Sequence, residues 1–293
     1  MLSNGDKVAN PDDEMERAIN TPGPGFMGIL QAASSNIRQY TYQNKEEFLD
    51  VADHEVNNMD GLFLLTGVTD DIFQSTFLVP EDDDGPFSRW SSYDAELGLL
   101  LFNMYESPIH SCVSPNFDRI LVEALEQFGL ARQLQPVGSA LWQSSAGGKK
   151  PDFSWRPRGA WMTDQHGWPN TVMEVTFSET QTKLEGDIRW WLHKSRRPDN
   201  DPNTVLGVVI DDNAPWITIE KWENDLNGDA RLQQRIFIEQ DRAANIVTIT
   251  GSPLVLEFEK LFERPPTPTE RDVEIDDEKL EFWARIIWGE EEP

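Results

Sequence analysis

The middle of the chain contains an ordered series of apolar patterns, and this series constrains the fold more than any other feature. Residues 204–210 (TVLGVVI) are almost continuously apolar, which is typical of a strand buried on both faces. An amphipathic helix is predicted over 179–195, because Leu184, Ile188 and Trp191 recur at helical spacing. Shorter strand patterns occupy 152–155, 171–177 and 216–221. The order strand, strand, helix, strand, strand predicts an α/β fold with a mixed central sheet flanked by helices.

The remaining patterns predict how the chain is organised around this centre. Two further helices are expected over 90–105 and 116–129, and a hairpin or two strands over 231–240 and 245–250. We expect five segments: a flexible N-terminal arm (1–25), an N-terminal helix and strand decoration (26–110), the core (111–264), a Pro-rich linker (265–273) and a C-terminal amphipathic helix (274–293).

Composition excludes several classes of protein. Cys112 is the only cysteine, so the chain can form neither an internal disulfide nor a Cys-rich zinc site. No apolar run has the roughly 18 residues of a membrane-spanning helix, and the first residues lack the apolar segment of a secretory signal. The four histidines show no HExxH pattern, which argues against a zinc hydrolase. We therefore expect an intracellular protein of the cytoplasm or nucleus, with no membrane partner.

Charge is distributed unevenly along the chain. The formal net charge is −27, which argues against a protein that coats nucleic acid. Residues 1–130 hold 6 basic and 23 acidic side chains, whereas residues 131–200 hold 10 basic and 7 acidic ones. An anionic partner such as nucleic acid is therefore expected at 131–200, and a protein partner at the acidic flanks.

Two carboxylates fall on the predicted hairpin. Asp152 opens the strand at 152–155, and Glu174 lies within the strand at 171–177. If these strands are antiparallel neighbours, the carboxylates meet at one edge of the sheet, and the carbonyl of Val175 adds a third oxygen. Hard oxygen ligands suit Mg²⁺ or Mn²⁺, and a metal so held is suited to phosphodiester hydrolysis.

This stretch resembles the PD-(D/E)xK nuclease superfamily. The resemblance rests on Pro151-Asp152, on Glu174-Val175-Thr176 and on the helix and strand that follow, and it covers roughly 115–222. It is closer still to uncharacterised restriction-endonuclease-like proteins of cyanobacteria and filamentous fungi. The resemblance implies a restriction-endonuclease-like core with N- and C-terminal extensions. Thr176 departs from the pattern, since it replaces the motif lysine.

The resemblance also implies further site residues. In the closer group, the amine that replaces the motif lysine often comes from the following helix, and Lys183 is the candidate for it. Gln181, earlier in the same helix, is the alternative residue for positioning the attacking water. A glutamate from the first core helix assists the metal, and Glu123 is the choice. Basic residues near the motif are candidate nucleic-acid contacts: Lys149, Lys150, Arg156, Arg158 and Arg189.

Three functions remain open at this point. The first is a Mg²⁺- or Mn²⁺-dependent endonuclease or exonuclease that acts on DNA or RNA. The alternative is a catalytically degenerate nuclease-fold scaffold that binds a protein through its acidic surface, which Thr176 and the net charge favour. The third is a homodimer assembled through the C-terminal helix.

Overall fold

A computed structural model describes residues 37–57, 62–78, 85–104, 107–144, 147–158, 168–177, 181–194, 202–211 and 214–290. The arm expected at 1–25 lies outside the described residues. Six α-helices are described: α1 (Lys45–Val56), α2 (Asp70–Ile72), α3 (Pro108–Glu126), α4 (Gln181–Arg189), α5 (Phe258–Phe262) and α6 (Asp277–Ile287). Helix α2 continues into a π-helical turn at Phe73–Leu78, and α4 into one at Trp190–Lys194.

The larger sheet has seven strands in the order β13-β12-β11-β10-β9-β8-β5. Their bounds are β5 (Leu134–Pro136), β8 (Phe153–Pro157), β9 (Thr171–Phe177), β10 (Thr204–Ile210), β11 (Trp216–Asn224), β12 (Ala230–Asp241) and β13 (Ile246–Thr250). Strands β9 and β10 are parallel and are connected through α4, whereas every other pair in this sheet is antiparallel. The predicted fold class, a mixed sheet flanked by helices, is confirmed, and the order α3, β8–β9, α4, β10 is consistent with a restriction-endonuclease-like core.

Both faces of the larger sheet are covered, which explains the continuous apolar pattern of β10. Met173 and Val175 of β9 belong to the buried core that includes α3 and α6. On the opposite face, Val172 packs in a second core with α4. At Gly207 of β10 an added Cβ would lie 3.1 Å from a methyl carbon of Leu184, so the missing side chain lets α4 sit close to the sheet.

A six-stranded second sheet runs in the order β1-β2-β4-β3-β7-β6. Its strands are β1 (Arg38–Thr41), β2 (Leu62–Thr66), β3 (Trp90–Asp94), β4 (Leu99–Asn103), β6 (Trp142–Ser144) and β7 (Gly147–Lys149). The helix predicted over 90–105 is therefore wrong, because β3 and β4 form an antiparallel hairpin there. The run LGLLLF is apolar at every position but one, so its spacing does not separate a buried strand from a helix, and Gly98 (φ 61°) reverses the chain.

Strand β7 connects the second sheet to the centre of the chain. It pairs with β3, with Ser92 opposite Lys149, although the two residues lie on either side of the segment boundary expected at residue 110. The Pro-Asp sequence follows Lys149 by only two residues, so this pairing brings the second sheet next to the β8–β9 hairpin. The five segments expected from the sequence stay predictions.

The C-terminal part packs on the main core. Strands β14 (Leu254–Leu256) and β15 (Val273–Ile275) pair across the Pro-rich segment. Helix α6 follows, and the indole Nε1 of its buried Trp283 donates a hydrogen bond to the carbonyl of Val113 on α3 at 3.0 Å. No helix in the described ranges combines the length and apolar character needed to span a membrane.

Candidate active site at the end of the β8–β9 hairpin

Asp152 lies where the β8–β9 ladder ends. The last paired residues are Phe153 and Met173, and the Oδ2 atom of Asp152 accepts a hydrogen bond from the backbone N–H of Val175 at 2.6 Å. The N–H and C=O of one strand residue point to the same side of the strand. The carbonyl of Val175 is therefore directed toward the side of β9 where Asp152 lies.

Glu174 points to the sheet face that α4 covers, as Val172 does. Its side chain is 3% exposed. The Oε1 atom of Glu174 accepts a hydrogen bond from the indole Nε1 of Trp191 at 2.5 Å, and the Nζ atom of Lys149 lies 3.3 Å from the same oxygen. A carboxylate in the middle of a strand is thus buried but partnered, as a buried charge requires.

Two lysines and the buried Asp187 extend this network. The Nζ atom of Lys149 lies 2.6 Å from one oxygen of Asp187, and the Nζ atom of Lys183 lies 2.7 Å from the other. Ser92 of β3 accepts a further hydrogen bond from Lys149 at 3.1 Å. The second sheet therefore contributes a buried cation to the site, whereas Lys183, 22% exposed, reaches its solvent side.

The electrostatics show that the carboxylates influence one another. The pKa of Glu174 is raised to about 7. Burial is the largest cause, the negative charges of Asp187 and Asp152 act in the same direction, and Lys149 and Lys183 oppose them. Burial favours a raised pKa for Asp152 as well, but His110, Lys183 and the N–H of Val175 hold it below its usual value. Two neighbouring carboxylates whose pKa values move in opposite directions mark a candidate functional site.

His110 is part of the site, and the sequence interpretation missed it. Its Nε2 atom lies 3.4 Å from Oδ2 of Asp152, and its ring lies beside Phe177 with centroids 6.5 Å apart. His110 occupies the first turn of α3, where its backbone N–H donates to the side chain of the N-cap residue Ser107. The only sequence signal near His110 was the helix start at Ser107-Pro108. No spacing among the four histidines singled out His110.

The other predicted catalytic residues differ in their surroundings. Lys183 joins the site through Asp187. Gln181 opens α4, but its side chain lies outside the described part of the structure. Glu123 is 42% exposed on α3 and forms an ion pair with Arg119 at 3.2 Å, so its carboxylate faces solvent. Its predicted assistance to the metal stays a prediction.

The candidate nucleic-acid contacts divide by exposure. Lys149 is 1% exposed, so contact with a phosphate would require its ion pairs to open, and Arg156 is buried as well. Lys150 lies over the ring of Trp90 at 4.2 Å and donates to the carbonyl of Ser88, and burial lowers its pKa to about 8. Arg158 is exposed and Arg189 partly so. The contact of these residues with nucleic acid stays a prediction.

The oxygen donors near the end of the hairpin are of the kind that Mg²⁺ binds, but the site has no third acidic ligand among the described residues. Within the described ranges, no three His, Cys, Asp or Glu side chains converge on one point. A cation would instead rest on Asp152, on Glu174 and on the carbonyl of Val175, with water completing its coordination. Mg²⁺ commonly binds through one or two carboxylates and keeps several waters, so this donor set is adequate for it.

Neither a protein-family model nor a curated protein matches the sequence. Among solved structures, the chain is similar to one described as "a putative nuclease belonging to DUF820" from Anabaena variabilis ATCC 29413, with a TM-score of 0.40 and 14% sequence identity. The match covers 73% of this chain and 97% of that chain.

Proposed function

We propose that this chain is a metal-dependent nuclease-like protein that hydrolyses phosphodiester bonds of nucleic acid. Asp152 and Glu174 would bind Mg²⁺ or Mn²⁺ together with the carbonyl of Val175. Two observations support the proposal: Asp152 accepts a hydrogen bond from the backbone N–H of Val175, the residue after Glu174, and the negative charge of Asp152 helps to raise the pKa of Glu174. A cation between them would relieve that repulsion.

The surrounding residues divide the remaining tasks. When bound, a divalent cation polarises a phosphoryl oxygen and lowers the pKa of a bound water. His110 holds Asp152 from the side of α3. Burial lowers the pKa of Lys183, but the negative charges of Asp187, Glu174 and Asp152 outweigh it and raise the pKa above its usual value, so Lys183 keeps a positive charge at the solvent side. It is therefore the group placed to stabilise negative charge that develops on the phosphoryl oxygens.

The position of Lys183 compensates for Thr176. A threonine has no charge with which to orient an attacking water or stabilise an oxyanion. The ammonium of Lys183 comes from α4 rather than from β9, and Asp187, one turn later, fixes it at 2.7 Å. In this proposal, Lys183 of α4 takes over the role of the motif lysine that Thr176 replaces on β9, from the same side of the sheet.

A second function has one observation in its favour. The charges at the site are already paired within the protein: Lys149 and Lys183 contact both oxygens of Asp187, and Trp191 and Lys149 approach Glu174. A network closed in this way also suits a catalytically degenerate scaffold that binds a protein partner through its acidic flanks. Failure to bind a metal would favour this second function.

Calorimetric titration with Mn²⁺ tests the proposal before any substrate has to be chosen. We expect the wild-type chain to show one site per molecule that is tighter than the background from its acidic surface. The double variant Asp152→Asn with Glu174→Gln should lack that site while keeping the shapes of both side chains. Coincident titration curves for the two proteins would refute metal binding by this pair.

A matched control separates the site from general surface charge. The variant Asp53→Asn with Glu259→Gln removes two exposed acidic charges and should leave the tight site intact. Cleavage of labelled single- and double-stranded DNA and RNA in Mn²⁺ then tests hydrolysis. Tight metal binding without cleavage of any of these substrates would favour the scaffold function.

A further inference from the structure

Trp191 makes the shortest described contact to Glu174. It lies in the π-helical turn that continues α4, and π-helical turns inside α-helices occur frequently at functional sites. The indole of Trp191 is fully buried and is itself held by neighbouring aromatics, Trp190 at 4.8 Å and Trp168 at 6.0 Å between ring centroids. The donor therefore has little freedom to follow a moving carboxylate.

Both described donors approach the same oxygen of Glu174. Trp191 donates to Oε1, and Lys149 lies 3.3 Å from Oε1 as well. A carboxylate fixed through one oxygen presents the other oxygen in a defined direction. Hydrogen bonds of this kind, from groups that do not touch the metal, orient the ligands that do.

We propose that Trp191 is a positioning residue, whose indole N–H holds Oε1 of Glu174 so that Oε2 is presented to a divalent cation. This inference rests on the proposed function. It differs from a purely structural role for Trp191, because it predicts a change in metal affinity beyond any change in folding stability. Trp191 carries no charge, so its replacement leaves the net charge of the site unaltered.

The test compares two tryptophan-to-phenylalanine variants. Trp191→Phe removes the donor to Glu174, whereas Trp283→Phe removes a donor from an equally buried indole that contacts the carbonyl of Val113 instead. Both should unfold at lower temperature than the wild type. In Mn²⁺ calorimetry on the folded proteins, Trp191→Phe should bind about 10- to 100-fold more weakly, and Trp283→Phe as the wild type does.

The outcomes distinguish this inference from the function on which it rests. If wild type and Trp191→Phe bind Mn²⁺ equally tightly at a site that Asp152→Asn with Glu174→Gln abolishes, the positioning role is refuted and the proposed function stands. If the wild type has no such site, both are refuted. Equal weakening by Trp191→Phe and Trp283→Phe would assign the effect to general loosening and would also refute the positioning role.

A second measurement applies if Trp191→Phe does not fold. With ¹⁵N-labelled tryptophan, the indole resonance of Trp191 is identified as the one that Glu174→Gln displaces most. Adding Mg²⁺ to the wild-type chain should shift that resonance, and the same addition to Glu174→Gln should not. A site that binds Mg²⁺ while this resonance stays in place would refute the positioning role.

Discussion

Glu174→Gln should change how the stability of the chain depends on pH. The pKa of Glu174 is about 7 in the folded chain, against 4.5 for the free side chain. The folded state therefore binds the proton more tightly than the unfolded state does. This contribution to stability is fully present below pH 4.5 and is lost as the pH rises through 7. Glutamine cannot ionise, so the variant should not lose it.

The size of the effect follows from the two pKa values. The difference between a pKa of 4.5 and one of about 7 corresponds to about 3 kcal/mol in the free energy of unfolding when Glu174 is fully ionised. Between pH 5.5 and 8.5, proton linkage gives a loss of about 2 kcal/mol in the free energy of unfolding of the wild type relative to Glu174→Gln. The side chain is almost wholly buried, so solvent screening removes little of this difference.

Urea unfolding at several pH values, with a chelator to keep divalent cations away, measures this difference. The control is Glu259→Gln, which removes the same charge from an exposed position and should track the wild type at every pH. If the difference between wild type and Glu174→Gln stays constant within about 0.5 kcal/mol from pH 5.5 to 8.5, Glu174 does not titrate in that range, and the electrostatic account of the site fails.

Three further predictions concern the stability of the fold, each read as the free energy of unfolding in urea. Lys149→Met should cost about 3–5 kcal/mol, because it leaves buried carboxylates without their cation. Lys183→Met, at the solvent side, should cost only about 1 kcal/mol. Equal costs would contradict the assignment of Lys149 as the buried partner. Gly147→Ala should cost more than about 2 kcal/mol, since the new Cβ would lie 1.9 Å from the carbonyl oxygen of Tyr93, while Gly138→Ala, with open space around it and φ 64°, should cost only about 1 kcal/mol. Trp283→Ala should cost about 3–5 kcal/mol through the cavity it leaves between α6 and α3, and a loss below about 1 kcal/mol would show that α6 is not part of the main core.

The larger sheet could be predicted from the sequence because its signals are local. In β10, Val205 and Val209 face one core, and Leu206 and Val208 face the other. An almost unbroken apolar run of strand length was therefore sufficient to predict a strand buried on both faces. The helix at 179–195 was equally clear, since Leu184 and Ile188 both pack on the sheet. By contrast, the segment at 90–105 has no single period, and its pairing partner β7 lies more than forty residues later.

The same distinction between local and long-range signals applies to the site. Asp152 and Glu174 lie on one hairpin, so a short pattern could place them together. Lys149 is predicted from the sequence to contact nucleic acid, because it is a basic residue close to the motif. Its burial follows from the pairing of β7 with β3 and from Asp187 on α4, and neither contact is encoded near residue 149.

The position of Lys149 gives the second sheet a role in the site that the sequence pattern did not suggest. Its ammonium bridges Ser92 of β3, Asp187 of α4 and Glu174 of β9, so one side chain connects both sheets and the helix. Removing one partner of a buried ion pair destabilises a protein strongly, whereas replacing the whole pair by apolar residues is often neutral. The second sheet and the hairpin are therefore expected to unfold together, and the charge that compensates Glu174 depends on that coupling.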